Sequence, residues 1–433
     1  MATLPEPVSI GGLELPNRLY RAPLLECAGN DADTVDRLIA ELEPAAASGA
    51  GLVCQGATIV RGEGGCAAPR MTRVHDPDFV ARLEKLTDRI HDHGTGIVIQ
   101  LEHGGLRSME TWHAGYRRER PGLEQFAVSR PPLQLRALDR LGLLDLSPRV
   151  LSTDGVYELA ADFGRAAEYA VAAGYDGIHL AGANMGIVQQ FLSPFYNRRD
   201  DEFGGDILDR LRFLELVHDE IRERAGGVPL MTKVPSETAA PRFVRRHLTD
   251  EDTVTIAVEL ESIGFDAVVP VRTSTFWDMS IVRGEFPARA WSDDRFEDGY
   301  AAAFGYRQKA IAFLNRLQAR RFPTEHGWNA DLCRAVRAEL DIPVLLEGGI
   351  RERARMDSLL GDACDLIGMA RPFYAEPRLP ARLLGEGDAG ALCESCNNCT
   401  VPQITGADGV CRTPSVLARR GSLERRGAYR RER

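Results

Sequence analysis

Short apolar segments alternate with helical segments along most of this chain. Their length and bounding turns are typical of strands that are buried on both faces of a parallel sheet. The apolar segments lie at residues 18–23, 51–56, 96–101, 177–180, 229–234, 267–271, 343–346 and 366–369. The helical segments lie at residues 34–48, 77–93, 154–173, 207–225, 250–263, 329–340 and 352–360. Eight strands in this alternation predict an α/β fold, a (β/α)8 TIM barrel.

Two long connections and a change of composition divide the chain further. Residues 105–153 carry little periodicity, whereas residues 272–328 are rich in aromatic and charged residues and contain a predicted helix at 301–317. Long loops in a barrel cap the active site or mediate assembly, so we expect a homo-oligomer. We assign residues 1–385 to the barrel, 386–417 to a short Cys-rich extension and 418–433 to an Arg-rich, flexible tail.

Charge and hydropathy exclude several classes of function. The formal net charge is −10, which disfavours nucleic acid or an anionic membrane as the main partner. No apolar run is long enough to span a bilayer, and the N-terminal residues do not resemble a signal peptide. We therefore expect a cytoplasmic protein that acts on a small molecule, in a compartment where thiols stay reduced.

The last two predicted strands end in residues that suit a phosphate site. The first of them ends in Gly348 and Gly349, and the second ends in Ala370 and Arg371. Small residues let backbone N–H groups approach a ligand, and arginine offers two parallel donors to a phosphate. The loops after strands seven and eight of a barrel form its usual phosphate site. The alternative is that the two glycines serve only a tight turn.

Two polar residues on other strands suit a flavin ring. A flavin needs an amide to pair with its pyrimidine edge, and a cation near the position that becomes anionic on reduction. Gln100, at the end of strand three, suits the first role, and Lys233, in strand five, suits the second. The alternatives are a buried glutamine that bonds to the backbone and a lysine ion-paired in the barrel mouth.

Several motifs resemble the old yellow enzyme family of FMN-dependent oxidoreductases. They are LPNRLYRAPL at 15–24, GAT at 56–58, QLEHGG at 100–105, QFLSPFYNRRDDEFGGDILDRLRF at 190–213, PVLLEGGI at 343–350 and IGMARPFYAEP at 367–377. The resemblance implies FMN over the barrel mouth and NAD(P)H as electron donor. By it, the flavin ring would contact Pro23, Leu24, Ala57, Gln100 and Lys233, and the phosphate would contact Gly349, Ala370 and Arg371.

The chain departs from the family pattern where a substrate would bind. The family places a His/His or His/Asn pair after strand four to hold a substrate carbonyl, and a proton-donating Tyr two residues later. This chain has Ala181 and Asn184 at the pair and Gly186 at the Tyr position. Leu25 stands where the family often has Thr or Cys near the flavin, so the flavin potential should differ.

Another residue could replace the missing acid. His179 lies on the same strand face as Ala181, because strand side chains repeat every two residues, and we name it with Asn184 as a catalytic candidate. Further candidates are His103, Tyr196, Tyr300 and Tyr306. If none of them acts as the acid, solvent protonates the substrate, or the reaction is a desaturation or a double-bond isomerisation.

Four cysteines near the end of the chain form the second motif. They are Cys393, Cys396, Cys399 and Cys411. Three closely spaced cysteines and a distant fourth favour a [4Fe–4S] cluster, while zinc and no metal remain as alternatives. The spacing resembles the trimethylamine dehydrogenase and 2,4-dienoyl-CoA reductase branch of the family, without the FAD/nucleotide half that follows the cluster there.

These observations predict an FMN-dependent NAD(P)H:acceptor oxidoreductase that reduces or oxidises a small unsaturated molecule. Hydride would pass through flavin N5, and Asn184 would polarise the acceptor. A redox partner protein could supply electrons through the cluster instead of NAD(P)H. The alternatives are a flavin-dependent desaturase or isomerase and an electron-transfer flavoprotein subunit.

Overall fold

The structure is a computed structural model that describes residues 2–62, 64–385, 387 and 389–430. The strands are β1 Val8–Ile10, β2 Leu13–Leu15, β3 Leu19–Arg21, β4 Leu52–Ile59, β5 Gly96–Glu102, β6 Gln125–Ala127, β7 Pro148–Val150, β8 Gly177–Leu180, β9 Leu230–Thr238, β10 Ala267–Ser274, β11 Leu345–Glu347 and β12 Leu366–Met369. The helices are α1 Thr34–Ala47, α2 Pro77–Ala81, α3 Glu84–His91, α4 Met109–Trp112, α5 Ala114–Glu119, α6 Leu133–Arg140, α7 Thr153–Ala172, α8 Ile187–Leu192, α9 Ile207–Ala225, α10 Asp250–Ile263, α11 Ala288–Trp291, α12 Glu297–Phe304, α13 Gln308–Arg321, α14 Ala330–Arg337, α15 Arg353–Leu359, α16 Arg371–Ala375, α17 Pro380–Leu383 and α18 Pro414–Arg425. Short 3₁₀ turns lie at Gly105–Arg107, Asp294–Phe296, Gly305–Arg307 and Val401–Thr405.

Eight parallel strands form a barrel, in the order β10-β9-β8-β5-β4-β3-β12-β11. A parallel bridge between Val268 and Val344 joins the two ends of this sheet and closes it. The predicted TIM barrel is confirmed. Because all eight strands run in one direction, their carboxyl ends meet at one rim, where barrel enzymes bind their ligands.

Local sequence signals fix the ends of the longest helices around the barrel. Asp206 accepts hydrogen bonds from the backbone of the first turn of α9, and Asp209 reaches back to the backbone of Asp206. Thr249 and Asp252 form the same reciprocal arrangement at the start of α10, which ends at Gly264 in the left-handed conformation. Capping of this kind contributes about 1 kcal/mol per helix end.

Two apolar layers hold the fold together. Alternate side chains of the barrel strands, such as Leu52, Cys54, Val269 and Leu345, form an inner cluster with residues of the β1–β2 hairpin. The side chains of opposite parity pack against the surrounding helices in a larger cluster. No helix in the described part of the chain is long and apolar enough to cross a membrane.

The two long connections lie over the carboxyl-end rim. The first carries α4, α5, α6 and the parallel pair β6 and β7. The second carries α11, α12 and α13, and the single helix predicted at 301–317 is interrupted at Gly305, whose φ is +54°. Glycine adopts this left-handed conformation without steric strain, so the chain turns there instead of continuing one helix.

The Arg-rich end of the chain differs from the flexible tail expected over 418–433. Residues 414–425 form α18, and the Tyr429 hydroxyl donates a 2.7 Å hydrogen bond to the buried carboxylate of Glu376. Burial of Val416 against Ala375 and Leu392 holds this helix on the barrel. Residues 431–433 of the predicted tail, and residues 386 and 388 at the predicted domain boundary, lie outside the described residues.

Candidate active site

One cavity of about 460 Å³ opens at the carboxyl-end rim. Its volume lies within the ~300–1,000 Å³ typical of small-molecule sites. All eight residues predicted to contact the cofactor line this cavity, and so does Asn184. These eight are Pro23, Leu24, Ala57, Gln100, Lys233, Gly349, Ala370 and Arg371. They come from six of the strands or the loops after them, so the barrel brings together residues that are far apart in sequence.

The two residues predicted to contact the flavin ring are buried at the cavity wall. Gln100 is 2% exposed, and its Nε2 donates to Nδ1 of His179 at 3.1 Å. The Lys233 ammonium lies 2.7 Å from Oε2 of Glu347, and Oε1 of the same carboxylate accepts a 2.8 Å hydrogen bond from the Tyr20 hydroxyl. The ion pair considered for Lys233 is therefore present, and the lysine still faces the cavity.

Backbone geometry at the other end of the cavity requires glycine. Gly348 and Gly349 have φ values of +124° and +74°, which L side chains rarely adopt. A Cβ at Gly349 would lie 2.1 Å from the carbonyl oxygen of Glu325. The tight turn considered for these glycines is present, and the same small residues line the cavity.

Two buried arginines at this end have no carboxylate partner within 4.0 Å among the described residues. Arg371 is 7% exposed and donates to the carbonyl of Arg283 at 2.8 Å and to Oδ1 of Asn397. Arg351 is 6% exposed and donates to Oγ of Ser395 at 2.9 Å. Burial lowers the pKa of Arg351, and the neighbouring charge of Arg371 lowers it further.

Uncompensated buried cations are costly, so this pair suits an anionic ligand. A phosphate dianion would balance both charges, and the residues present therefore fit the phosphate end of FMN. Arg351 was missed in the sequence analysis. Its signal was available, since it directly follows the PVLLEGGI motif.

The cavity walls away from the arginine pair are largely aromatic. The two long connections supply Trp112, Phe276, Trp277, Trp291 and Phe304. Arg107 and Arg307 are cationic residues of the same walls. Such a surface favours a flat, apolar molecule and excludes bulk water from its contact area.

Two of the positions compared with the family pattern, Leu25 and Asn184, lie at the cavity, whereas Ala181 and Gly186 are not among its lining residues. Asn184 lines it, and its side-chain amide makes no hydrogen bond to any described residue. Leu25 lines it as well, so an aliphatic side chain occupies the place where a hydroxyl or thiol was considered. The free amide of Asn184 can donate to a ligand oxygen.

None of the side chains considered as a replacement acid lines the cavity. His179 is fully buried behind Gln100, and burial together with the Lys233 charge holds its pKa well below the usual range. A neutral imidazole without access to the cavity cannot protonate a substrate there. His103, Tyr196 and Tyr300 are buried elsewhere, and Tyr306 is 89% exposed.

An acid that the sequence analysis missed does line the cavity. Glu102 ends β5, two residues after Gln100, and therefore points to the same face of the strand. It is 3% exposed, and burial raises the pKa of its carboxyl to about 7. The period of two along the QLEHGG motif was the signal that could have identified it.

The four predicted metal ligands are not assembled into a metal site. Cys393, Cys396, Cys399 and Cys411 are free thiols beside the arginine pair, and Sγ of Cys396 lies 2.9 Å from Oγ1 of Thr413. Burial raises the pKa of the Cys399 thiol to about 12. In the parts of the chain that the structure describes, no group of His, Cys, Asp or Glu could hold a metal ion.

Several known proteins resemble the chain over most of its length. A 4,4'-dithiodibutanoate disulfide reductase from Rhodococcus erythropolis is 27% identical, and the match covers 95% of this chain and 96% of that protein. A cinnamate reductase from Clostridium sporogenes is 26% identical over 90% of this chain but only 54% of its own length. The chain thus spans about half of that relative.

A solved structure shows the same fold at low identity. Histamine dehydrogenase from Rhizobium sp. 4-9 superposes with a TM-score of 0.73 at 21% identity, covering 96% of this chain and 52% of that one. A sequence model of the NADH:flavin oxidoreductase / NADH oxidase family matches residues 3–298. That match covers more than half of the chain and includes the strands that carry Pro23, Gln100 and Lys233. The chain belongs to this family and is an FMN-dependent oxidoreductase.

Proposed function

We propose that the protein reduces an activated carbon–carbon double bond in a small, flat, apolar molecule, with NADH or NADPH as the electron donor. The observation that carries this proposal is the cavity at the carboxyl-end rim, which joins the predicted flavin contacts to an aromatic wall. The similarity to a cinnamate reductase supports the class of substrate, because cinnamate has a double bond conjugated to a flat aromatic ring.

Each group of lining residues has a role in this proposal. Gln100 and Lys233 would hold the flavin ring, and Arg351 and Arg371 would hold the phosphate. FMN bound there would supply a hydride to the substrate. Asn184 would donate its free amide hydrogen to the substrate oxygen and draw electrons away from the double bond. The aromatic walls would exclude water and orient the substrate.

Anaerobic half-reactions test the proposal. The purified protein is loaded with FMN, reduced with NADH or NADPH, and mixed with cinnamate, cinnamaldehyde or 2-cyclohexenone while the flavin absorbance is followed. We expect at least one of these alkenes to reoxidise the flavin and yield the saturated product. A protein that binds no FMN, or reduced flavin that none of the alkenes reoxidises, would contradict the proposal.

Asn184→Ala separates substrate polarisation from flavin reduction. Because the amide of Asn184 makes no hydrogen bond to any described residue, its removal should leave the fold and the flavin spectrum unchanged. We expect the rate of flavin reoxidation by the alkene to fall by about a hundredfold to a thousandfold, the range for loss of one preorganised donor. Equal reoxidation rates in the variant and the wild type would remove Asn184 from the proposal.

A second candidate is reduction of an organic disulfide. The disulfide reductase from Rhodococcus erythropolis matches this chain over nearly the full length of both proteins, which favours this reading. The same half-reaction with 4,4'-dithiodibutanoate tests it, and a thiol assay counts the product. Thiol release without turnover of any alkene would favour this candidate over the first.

The [4Fe–4S] cluster is supported by the spacing of the four cysteines alone. Their placement in the structure does not favour it. Iron and acid-labile sulfide, measured in protein purified without air, test the prediction. Cys333→Ser is a suitable control for any cysteine variant, because Cys333 is buried beneath the barrel helices, away from the four.

A further inference from the structure

The position of the missing family acid and the buried carboxyl of Glu102 are adjacent. Gly186 stands where the family pattern has its proton-donating Tyr. A Cβ built on Gly186 would lie 3.1 Å from Oε1 of Glu102. The backbone of Gly186 is extended, with φ −73°, and the same Cβ would also lie 3.1 Å from the carbonyl oxygen of His103. A side chain there would therefore meet both the Glu102 carboxyl and this carbonyl.

Among the described residues, Glu102 and Glu110 are buried glutamates with an unpartnered carboxylate oxygen, and of the two Glu102 lines the cavity whereas Glu110 does not. The unpartnered oxygen of Glu102 therefore faces the site. Its Oε1 is buried and accepts no hydrogen bond within the described residues. Glu237 has the same burial, but its carboxylate accepts hydrogen bonds from Gln189, Ser193 and the backbone of Leu248. Unlike Glu102, Glu237 does not line the cavity. An unpaired buried carboxyl is costly unless it is protonated or meets a ligand.

The charges around Glu102 leave its carboxyl able to gain and lose a proton near neutral pH. Burial raises the pKa to about 7, while Arg107 and Lys233 act in the opposite direction. Neither cation lies within 4.0 Å of the carboxylate, and Lys233 is paired with Glu347. The nearby thiol of Cys66 has a pKa raised to about 12 by burial, so it stays neutral.

We infer that Glu102 is the proton donor that replaces the missing Tyr, and this inference rests on the proposed alkene reduction. FMN, when bound and reduced, would supply a hydride to the β-carbon as the π bond of the alkene breaks. The electron pair of that bond takes the proton of the Glu102 carboxyl at the α-carbon. Glu102 is left as a carboxylate and regains a proton from solvent, while NAD(P)H restores the reduced flavin.

Glu102→Gln tests the inference, because it keeps the shape of the side chain and removes the acidic proton. We expect reduction of the flavin by NAD(P)H to proceed at the wild-type rate. Reoxidation by the alkene should slow by about a hundredfold to ten-thousandfold, the usual contribution of a general acid. In wild type the reoxidation rate should fall about tenfold per pH unit above pH ~7, and in the variant this dependence should vanish.

Two further variants exclude a merely structural effect. Glu102→Asp retains an acid, so its reoxidation rate should still depend on pH even though the shorter side chain slows the reaction. If Glu102→Gln does not retain FMN, Glu102→Asp replaces it as the test variant. Glu237→Gln changes an equally buried glutamate outside the cavity and should leave the pH profile of reoxidation unmoved. In D₂O, wild type should place one deuterium at the α-carbon of the product.

The outcomes separate the inference from the proposed function. If wild type reduces no alkene, the proposed function fails. If wild type reduces an alkene and Glu102→Gln keeps both its rate and its pH dependence, the function stands and Glu102 is not the acid. Loss of the pH dependence in Glu237→Gln as well would also overturn the assignment.

Discussion

Replacing Arg371 with methionine should weaken binding of FMN much more than binding of riboflavin, which lacks the phosphate. Arg371 is 7% exposed and has no carboxylate partner among the described residues, so its charge is available to an anion and little screened by solvent. A hydrogen bond to a charged group contributes about 1.5–3 kcal/mol, and each 1.4 kcal/mol is about tenfold in Kd. The FMN Kd should therefore rise by about 10- to 100-fold.

The ratio of the two dissociation constants isolates the phosphate contact. Arg371 also bonds to Asn397 and to the carbonyl of Arg283, so the variant loses some stability in the absence of any flavin. That loss affects both ligands equally and cancels in the ratio. Quenching of flavin fluorescence, titrated into the apoprotein, measures both constants. Arg371→Lys keeps the charge without the planar fork and should fall between the variant and wild type.

Arg307→Met is the matched control for this experiment. Arg307 is also 7% exposed and lines the same cavity, but it bonds to the carbonyls of Gly142 and Leu143 in the first long connection. Its replacement should leave the riboflavin-to-FMN ratio at the wild-type value. If Arg371→Met weakens both flavins equally, or if Arg307→Met lowers the ratio as much, the phosphate does not lie at Arg371.

Three further predictions concern stability. Lys233→Met leaves the carboxylate of Glu347 without its cation and should lower the free energy of unfolding in urea by about 3–5 kcal/mol. The double variant with Glu347→Gln should recover most of this loss. An equal loss in the double variant would contradict the ion pair. Gly349→Ala should destabilise the fold by at least ~2 kcal/mol and abolish FMN binding. Gly12 has φ +88° with open space around it, so Gly12→Ala should destabilise the fold by only about 1 kcal/mol. Similar losses in the two variants would refute the steric argument. Burial raises the pKa of Glu237 from 4.5 to about 7, so the folded state binds the proton of this carboxyl more tightly than the unfolded state does. The protonated carboxyl contributes up to about 3 kcal/mol to the free energy of unfolding below pH 4.5, and this contribution is lost as the pH rises through 7. Glu237→Gln should therefore gain stability relative to wild type between pH 5 and pH 8, and a constant difference would refute the assignment.

Much of the barrel could be predicted because its signals are local. The strand at 366–369 and the helix at 207–225 were predicted with the bounds that the structure has, since buried parallel strands and capped helices are specified by a few neighbouring residues. The predicted helix at 301–317 was wrong as one element, because Gly305 turns the chain. The helix expected at 77–93 likewise divides into α2 and α3.

The residues of the candidate site could likewise be predicted only in part from the sequence. Positions such as Gln100 and Gly349 could be named from motifs, because contact with a cofactor constrains short runs of residues. His179 was chosen as an acid on strand parity alone, and parity gives the face of a strand but not the depth of a side chain. Its contact with Gln100 and its complete burial come from the neighbouring strand.

The sequence alone determined that eight strands alternate with helices, and which strand ends carry the glycines, the amide and the cation of a flavin site. It also determined which substrate-binding residues the chain lacks. Only the tertiary structure decided that Arg351 and Arg371 share one end of the cavity with no carboxylate partner in the described part of the chain, and that Glu102 lies beside Gly186. The reason is physical: charge balance, burial and pKa depend on what surrounds a group in three dimensions, and those neighbours come from strands far apart in the chain.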